Sequence, residues 1–227
     1  MWSFYDVCGK KLPPLLNACV RQILIGEKRG FGKMNTRDKI LESALHLFDE
    51  KGYHQTSIQE ISEGAGVSKG GFFHYFPSKN DILFALQESF CIDSHLNNIE
   101  KVALNDDLSP AEKLHKLIDY EVYTHVKNRP NVVIFYHGLK NLSEDKIKII
   151  KEKRDRYEEI FRKVIRQGIE RGDFKDDFDI NIVSKALFGM CNWTYMWLDP
   201  EGPMTPGQIS DTFSKLFIDG LHKKREA

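Results

Sequence analysis

Apolar positions along most of this chain recur at three- and four-residue spacings, and the alternation of a half-buried strand is nearly absent. From Thr36 to Glu50, Ile40, Ala44, Leu47 and Phe48 share one helical face, and Gly52 closes the segment. Thr56 with Gln59 three residues later has capping-box spacing and predicts a second helix, buried through Ile58, Ile61 and Ala65. Gly64-Ala65-Gly66-Val67 then predicts a tight turn. Ser68 caps a short third helix through Tyr75, and Pro77 stops it. Ser78 with Asp81 opens a fourth helix that carries Ile82, Leu83 and Leu86 to about Asn97.

Longer helices follow the polar break at Asn105-Asp106-Asp107. Ser109-Pro110-Ala111-Glu112 combines an N-cap, a first-turn proline and a capping-box glutamate, and its helix should end near Asn128. A short helix over Val132–Leu139 comes next, then a long charged one from Ser143 to Gly172. Asp179 caps a nearly apolar helix to Leu198. Thr205 starts the last, with Ile209, Phe213, Leu216 and Phe217 on one face. The predicted class is all-α: a small helix-turn-helix unit over 34–80, joined to a helical bundle over 81–227.

Composition narrows the function classes. A chain of 227 residues with 41% hydrophobic and 29% charged residues can bury a core, which excludes wholesale disorder. The most apolar run, Ala186–Leu198, is 13 residues long and is interrupted by Gly189, Asn192 and Thr194. A membrane span needs about 18, so this run reads as a core or interface helix. The cysteines (Cys8, Cys19, Cys91, Cys191) form no CxxC pair, and Cys91 with His95 lacks a second pair for a metal. No cofactor is predicted. Pro13, Pro14, Asn17 and Arg21 break up what would be the apolar core of a signal peptide, so a cytoplasmic location is expected.

Zero net charge hides a division: residues 1–33 carry six Lys/Arg against two Asp/Glu, and residues 34–90 carry five against eight. No segment has the bulk positive charge that often marks a nucleic-acid binder, so a DNA-binding reading has to rest on local geometry. Enzyme chemistry is the rival. Its candidates, Asp106, Asp107, Glu112, His115, Asp176, Asp177 and Asp179, sit at helix starts and loop exits, where capping and dipole effects account for them. With no nucleophile–base pair or phosphate loop, the reading is a non-enzyme.

Three short helices with a glycine-containing turn between the second and third describe a helix-turn-helix whose third helix enters the major groove. That helix would offer Lys69, Gly70, Gly71 and His74. Its two glycines each cost about 1 kcal/mol relative to alanine in a helix, a cost that makes sense where a backbone must approach DNA closely. Ser78 and Lys79, and Thr56 on the other side, lie at helix N-termini suited to phosphate.

The run Gly66-Val67-Ser68-Lys69-Gly70-Gly71-Phe72-Phe73-His74-Tyr75-Phe76-Pro77-Ser78-Lys79-Asn80-Asp81-Ile82-Leu83 resembles the recognition-helix signature of the TetR family of transcriptional regulators. The preceding helices match as well, over about 50 residues from Thr36. The resemblance implies a homodimeric repressor bound to a palindromic operator and released by a small ligand. It places Thr56, Ser68, Lys69, Gly70, Gly71, His74, Tyr75 and Lys79 at the DNA. Phe73 stands where the family usually has tyrosine. It is not counted as a contact and is expected in the core with Ile40, Leu47, Phe48, Ile61, Val67 and Phe76. Residues 1–33 match nothing in the family. Met34-Asn35-Thr36-Arg37 resembles a usual family beginning, so residues 1–33 are expected to lie upstream of the true start or to form a flexible arm.

The bundle is rich in aromatic residues, which suggests a pocket inside it. Its expected lining is Tyr120, Tyr123, Phe135, Tyr136, Arg154, Tyr157, Phe161, Phe188, Trp193 and Trp197. The stretch 189–197 followed by Pro200-Glu201-Gly202 resembles a branch of the family that represses fatty-acid and steroid catabolism. That resemblance implies a coenzyme A thioester as effector, a long-chain acyl-CoA in particular, with its phosphates met by Lys151, Arg154, Arg156, Arg162, Lys163 and Arg166. A drug-like hydrophobe is the alternative and would need no such cations. The helices Asp179–Leu198 and Thr205–His222 are expected to pair with a second copy as a four-helix bundle.

Overall fold

Side-chain caps set most of the helix starts. In the computed structural model, which describes residues 35–91, 93–199 and 202–223, Asn35 accepts from the Asp38 amide and begins α1, Thr36–Lys51. α2 is Ile58–Gly64, α3 Lys69–Tyr75 and α4 Lys79–Cys91. Next come α5 (Asp93–Ala103), α6 (Pro110–Lys127), α7 (Arg129–Gly138) and a 3-10 turn at Leu139–Asn141. The chain finishes with α8 (Glu144–Glu170), α9 (Ile180–Asn192), α10 (Thr194–Trp197) and α11 (Pro206–Leu221). Among the described residues there is no β-strand, and the protein is all-α as expected.

Three departures from the expected elements have local causes. The box that starts α2 is Ser57 with Glu60, not Thr56 with Gln59. Thr56 is buried instead, and its hydroxyl faces the Leu47 and Gly52 carbonyls at the end of α1. The expected single helix to Leu198 breaks at Trp193. There the Cys191 carbonyl accepts from the Thr194 hydroxyl at 2.6 Å and from His125 Nδ1 at 3.1 Å, which draws it out of the helical ladder. The expected fourth helix is two, α4 and α5, and the second runs on to Ala103.

Two apolar clusters organise the chain. The first joins Ile40, Leu41 and Ala44 of α1, Ile61 of α2, Phe72 of α3 and Ile82, Leu83 and Leu86 of α4 to Val132, Ile134 and Phe135 of α7. The second packs Leu114, Leu117, Ile118 and Val122 of α6 against Phe161 and Val164 of α8, Leu187 of α9 and Ile209 of α11. The core under the N-terminal helices thus continues onto α7 in the bundle. Polar ties reinforce the junction: Lys146 of α8 pairs with Asp81 of α4 at 2.6 Å, and Lys153 with Glu88 at 2.5 Å. The Asn80 amide donates to the Asn141 carbonyl. Residues 1–33, read as an upstream or flexible extension, lie outside the described residues.

Candidate DNA interface and ligand cavity

Gly66 adopts φ +66°, a left-handed conformation that favours glycine, and so turns the chain between α2 and α3. The Val67 amide closes the turn on the Ser62 carbonyl at 2.9 Å. Ser68 Oγ then accepts from the Gly71 amide at 3.1 Å and starts α3. Phe72 is fully buried and pins the helix to α1 and α2. Around it the helix presents an exposed face with Lys69, Gly70, His74 and Tyr75 in solvent. Phe73 belongs to that face too, 44% exposed, which corrects its expected place in the core. Adjacent residues on a helix point about 100° apart, and only one of the two phenylalanines can face inward.

Gly70 has room to spare. A Cβ there would meet nothing nearer than the Ser68 hydroxyl at 3.9 Å, and its φ is not positive. The fold therefore does not demand glycine at 70. Arg37, which the sequence reading passed over, lays its guanidinium over the Phe76 ring at 5.2 Å and brings a further exposed cation to the end of α3.

Two expected contacts are committed elsewhere. Thr56 is 1% exposed, with its hydroxyl directed inward, so its side chain has no free donor for phosphate. Lys79 turns its ammonium onto the Tyr53 and Thr56 carbonyls, both at 2.7 Å, and over the Tyr53 ring at 4.4 Å. Burial lowers its pKa. It braces the start of α4 against the α1–α2 turn.

Within the bundle a cavity of about 310 Å³ opens between α5, α6, α7, α8 and α9. Of the expected lining, Phe135, Tyr136, Arg154, Tyr157 and Phe188 are there. Phe161 lies behind the wall, fully buried against Phe188 with ring centroids 4.7 Å apart. Tyr120 supports the cavity from outside its lining, its hydroxyl 2.5 Å from His95 Nδ1. Tyr123, Trp193 and Trp197 do not line it. They are 38%, 54% and 49% exposed on the bundle surface.

Of the expected cations only Arg154 reaches the cavity. Arg156 pairs with Glu100, Arg162 with Glu158 and Glu159, and Arg166 with Glu159, while Lys151 and Lys163 are exposed outside the lining. The second cation in the lining is Lys185, which the sequence reading did not single out.

That reading also missed the polar floor. His95, Glu121 and His125 line the cavity and are all buried. Tyr157 donates its hydroxyl to Glu121 Oε1. Burial lifts the Glu121 carboxyl to about 7 and depresses both histidines to about 4, so both imidazoles are neutral at neutral pH. Burial and the adjoining Glu121 push the Tyr157 phenol well above its ordinary range. Glu121 and His125 sit on the α6 face that carries Leu114 and Ile118. Polar residues at the positions of an apolar stripe were the available signal.

A capped three-helix unit with an exposed basic third helix, mounted on a helical bundle that encloses a cavity, defines a helix-turn-helix regulator. The chain belongs to the TetR family: residues 40–86 match the model for bacterial regulatory proteins of the tetR family, and residues 107–221 match the tetracyclin repressor-like C-terminal domain. It is 26% identical over 197 residues to the HTH-type transcriptional repressor KstR2 of Mycobacterium tuberculosis (strain ATCC 25618 / H37Rv), covering 85% of this chain and 96% of that one. The structure of that ketosteroid regulator superposes with a TM-score of 0.73 over 86% of this chain and all of its own. This agrees with the expected steroid and fatty-acid branch. The regulator PfmR of Thermus thermophilus is 32% identical, with a TM-score of 0.73 over 81% of this chain and 99% of that one. The fold is also that of AibR, solved with isovaleryl coenzyme A and operator DNA, at 24% identity and a TM-score of 0.70 over 80% of this chain and 97% of that one. Among the described residues no helix is long and apolar enough to cross a membrane.

Proposed function

We propose that the chain is a dimeric cytoplasmic repressor that holds a palindromic operator through α3 and releases it when an acyl-CoA fills the cavity. The observation that carries this reading is that reading helix and cavity are joined through shared parts. α4 continues the core beneath α3 and is tied by ion pairs to Lys146 and Lys153 of α8. The next residue on α8, Arg154, lines the cavity. A ligand that repositions α8 thereby moves α4 and the helix it supports. In the DNA complex Lys69 and His74 face the groove, Ser68, Gly71 and Tyr75 approach the backbone, and Gly70 permits close approach.

Ligand class follows from the cavity lining. Arg154 and Lys185 in the lining suit phosphates, the carboxylate beside them, Glu158, being held by Arg162, and a neutral drug-like molecule would make no use of the two cations. The interior, about 310 Å³, takes the acyl group. AibR, with its isovaleryl-CoA, is a precedent on this fold.

Dimerisation is supported by Ile182, Trp193, Trp197 and Leu216, each about half or more exposed on the α9–α11 face. Burying such side chains contributes about 1.5–3 kcal/mol apiece, and two reading helices about 34–36 Å apart would match successive turns of a palindrome. Sedimentation velocity at micromolar concentration is expected to give a dimer for the wild type and a monomer for Leu216→Glu. A wild-type monomer rejects the arrangement.

A further inference from the structure

The floor of the cavity is more polar than a plain hydrocarbon chain requires. Glu121 and His125 are each 4% exposed, and His125 Nε2 stands 4.0 Å from Glu121 Oε2. That is too long for a hydrogen bond between them. Their remaining atoms are already assigned. His125 Nδ1 lies 3.1 Å from the Cys191 carbonyl, and because a carbonyl only accepts, Nδ1 carries the proton and Nε2 presents a lone pair. Glu121 Oε1 accepts from Tyr157, and both Glu121 and His125 line the cavity.

We infer that this pair recognises a hydroxyl, so that the acyl group taken up by the cavity carries one at its far, buried end. The inference rests on the acyl-CoA reading and deepens it. An oxygen about 2.8 Å from both Oε2 and Nε2 spans a 4.0 Å gap with an angle near 90°, ordinary hydrogen-bond geometry. A hydroxyl suits both partners at once: it donates to His125 Nε2 and accepts from the protonated Glu121 carboxyl. Burial raises that carboxyl to about 7, so the protonated form is well populated at neutral pH. Phe135, Tyr136 and Phe188 supply apolar wall for the chain, and Arg154 and Lys185 are the cations in the same lining. An unsubstituted chain would displace the water such a pair holds without replacing its hydrogen bonds.

The test is isothermal titration of the full chain with octanoyl-CoA and 8-hydroxyoctanoyl-CoA, alongside 1-octanol and its methyl ether. The hydroxylated thioester is expected to bind at least tenfold more tightly than the plain one, and octanol tenfold more tightly than the ether. Glu121→Leu should erase both preferences. Glu121→Gln, which keeps the size, an acceptor for Tyr157 and, in its amide N–H, a donor to the ligand oxygen, guards against a folding defect and should retain both preferences. Equal binding of the two thioesters overturns the inference and leaves the acyl-CoA reading standing. If neither thioester binds, that reading fails, and the octanol pair decides the hydroxyl site: preference for octanol supports it, and equal binding overturns it.

Discussion

Replacing Glu121 by glutamine removes one ionisable group from the cavity floor while keeping its size and an acceptor for the Tyr157 hydroxyl. In the fold the Glu121 carboxyl ionises at about 7, against 4.5 for an ordinary glutamate, because burial penalises the anion more than Tyr157 stabilises it. A carboxyl whose folded pKa is raised favours the fold below pH 4.5, and that advantage is lost as pH rises through 7. Above both values the shift amounts to about 3 kcal/mol of destabilisation. Glutamine carries no charge in either state, so Glu121→Gln should match the wild type near pH 4.5 and gain on it progressively toward pH 8. By the usual scaling for a chain of this size, that is a Tm gain of about 6–12 °C at pH 8. The buried histidines act with the opposite sign. His95 and His125, depressed to about 4, contribute stability above pH 6.5 that is lost as pH falls through 4. Both proteins carry them, so the difference between variant and wild type isolates Glu121. Calorimetric scans at fixed protein concentration from pH 5 to pH 8 measure it. A Tm difference independent of pH, or a variant less stable than wild type at pH 8, would refute the claim that this carboxyl is desolvated.

Three further variants probe the other end of the molecule and the link between the two. Gly70→Ala should leave the fold as stable or raise it by up to about 1 kcal/mol, because its Cβ meets no atom closer than 3.9 Å, yet it should lower operator affinity at least tenfold. Equal affinity would mean that DNA does not approach this backbone. Lys69→Ala should weaken operator binding and relax the base preference at one position per half-site; unchanged affinity and preference argue against a groove-facing Lys69. Lys146→Ala with Lys153→Ala removes the ties from α8 to Asp81 and Glu88. The double variant should bind the operator within about threefold of wild type but need at least tenfold more acyl-CoA for release. An unchanged release curve would place the coupling in another part of the junction.

Caps made most of the helices legible in advance. The Ser109–Glu112 and Thr205–Gln208 boxes and the Ser68 cap lie where their spacing puts them. At α2 two overlapping pairs, Thr56–Gln59 and Ser57–Glu60, satisfied the same spacing. The choice fell to a tertiary demand: the carbonyls at the end of α1 take the Thr56 hydroxyl. Phe72 and Phe73 show a related limit. A helix of two turns is too short for periodicity to say which neighbour is inside. Aromatic content located four of the thirteen residues of the cavity wall, but it could not separate interior rings from Trp193 and Trp197, which lie on the exposed face proposed for the dimer. The polar floor was hidden because Glu121 and His125 look like surface residues unless their register with Leu114 and Ile118 is followed along α6.

The central claim is that one molecule couples an operator-reading helix to an acyl-CoA cavity. Fluorescence anisotropy of a labelled palindromic duplex, selected from random sequence by the protein itself, tests it directly. The duplex is held by the wild-type protein and titrated with octanoyl-CoA, 8-hydroxyoctanoyl-CoA, free octanoate and coenzyme A. The account predicts two chains per duplex and release by the thioesters at concentrations that free octanoate and coenzyme A cannot match. A complex that persists through both thioesters, or that free octanoate dissolves equally well, would contradict it.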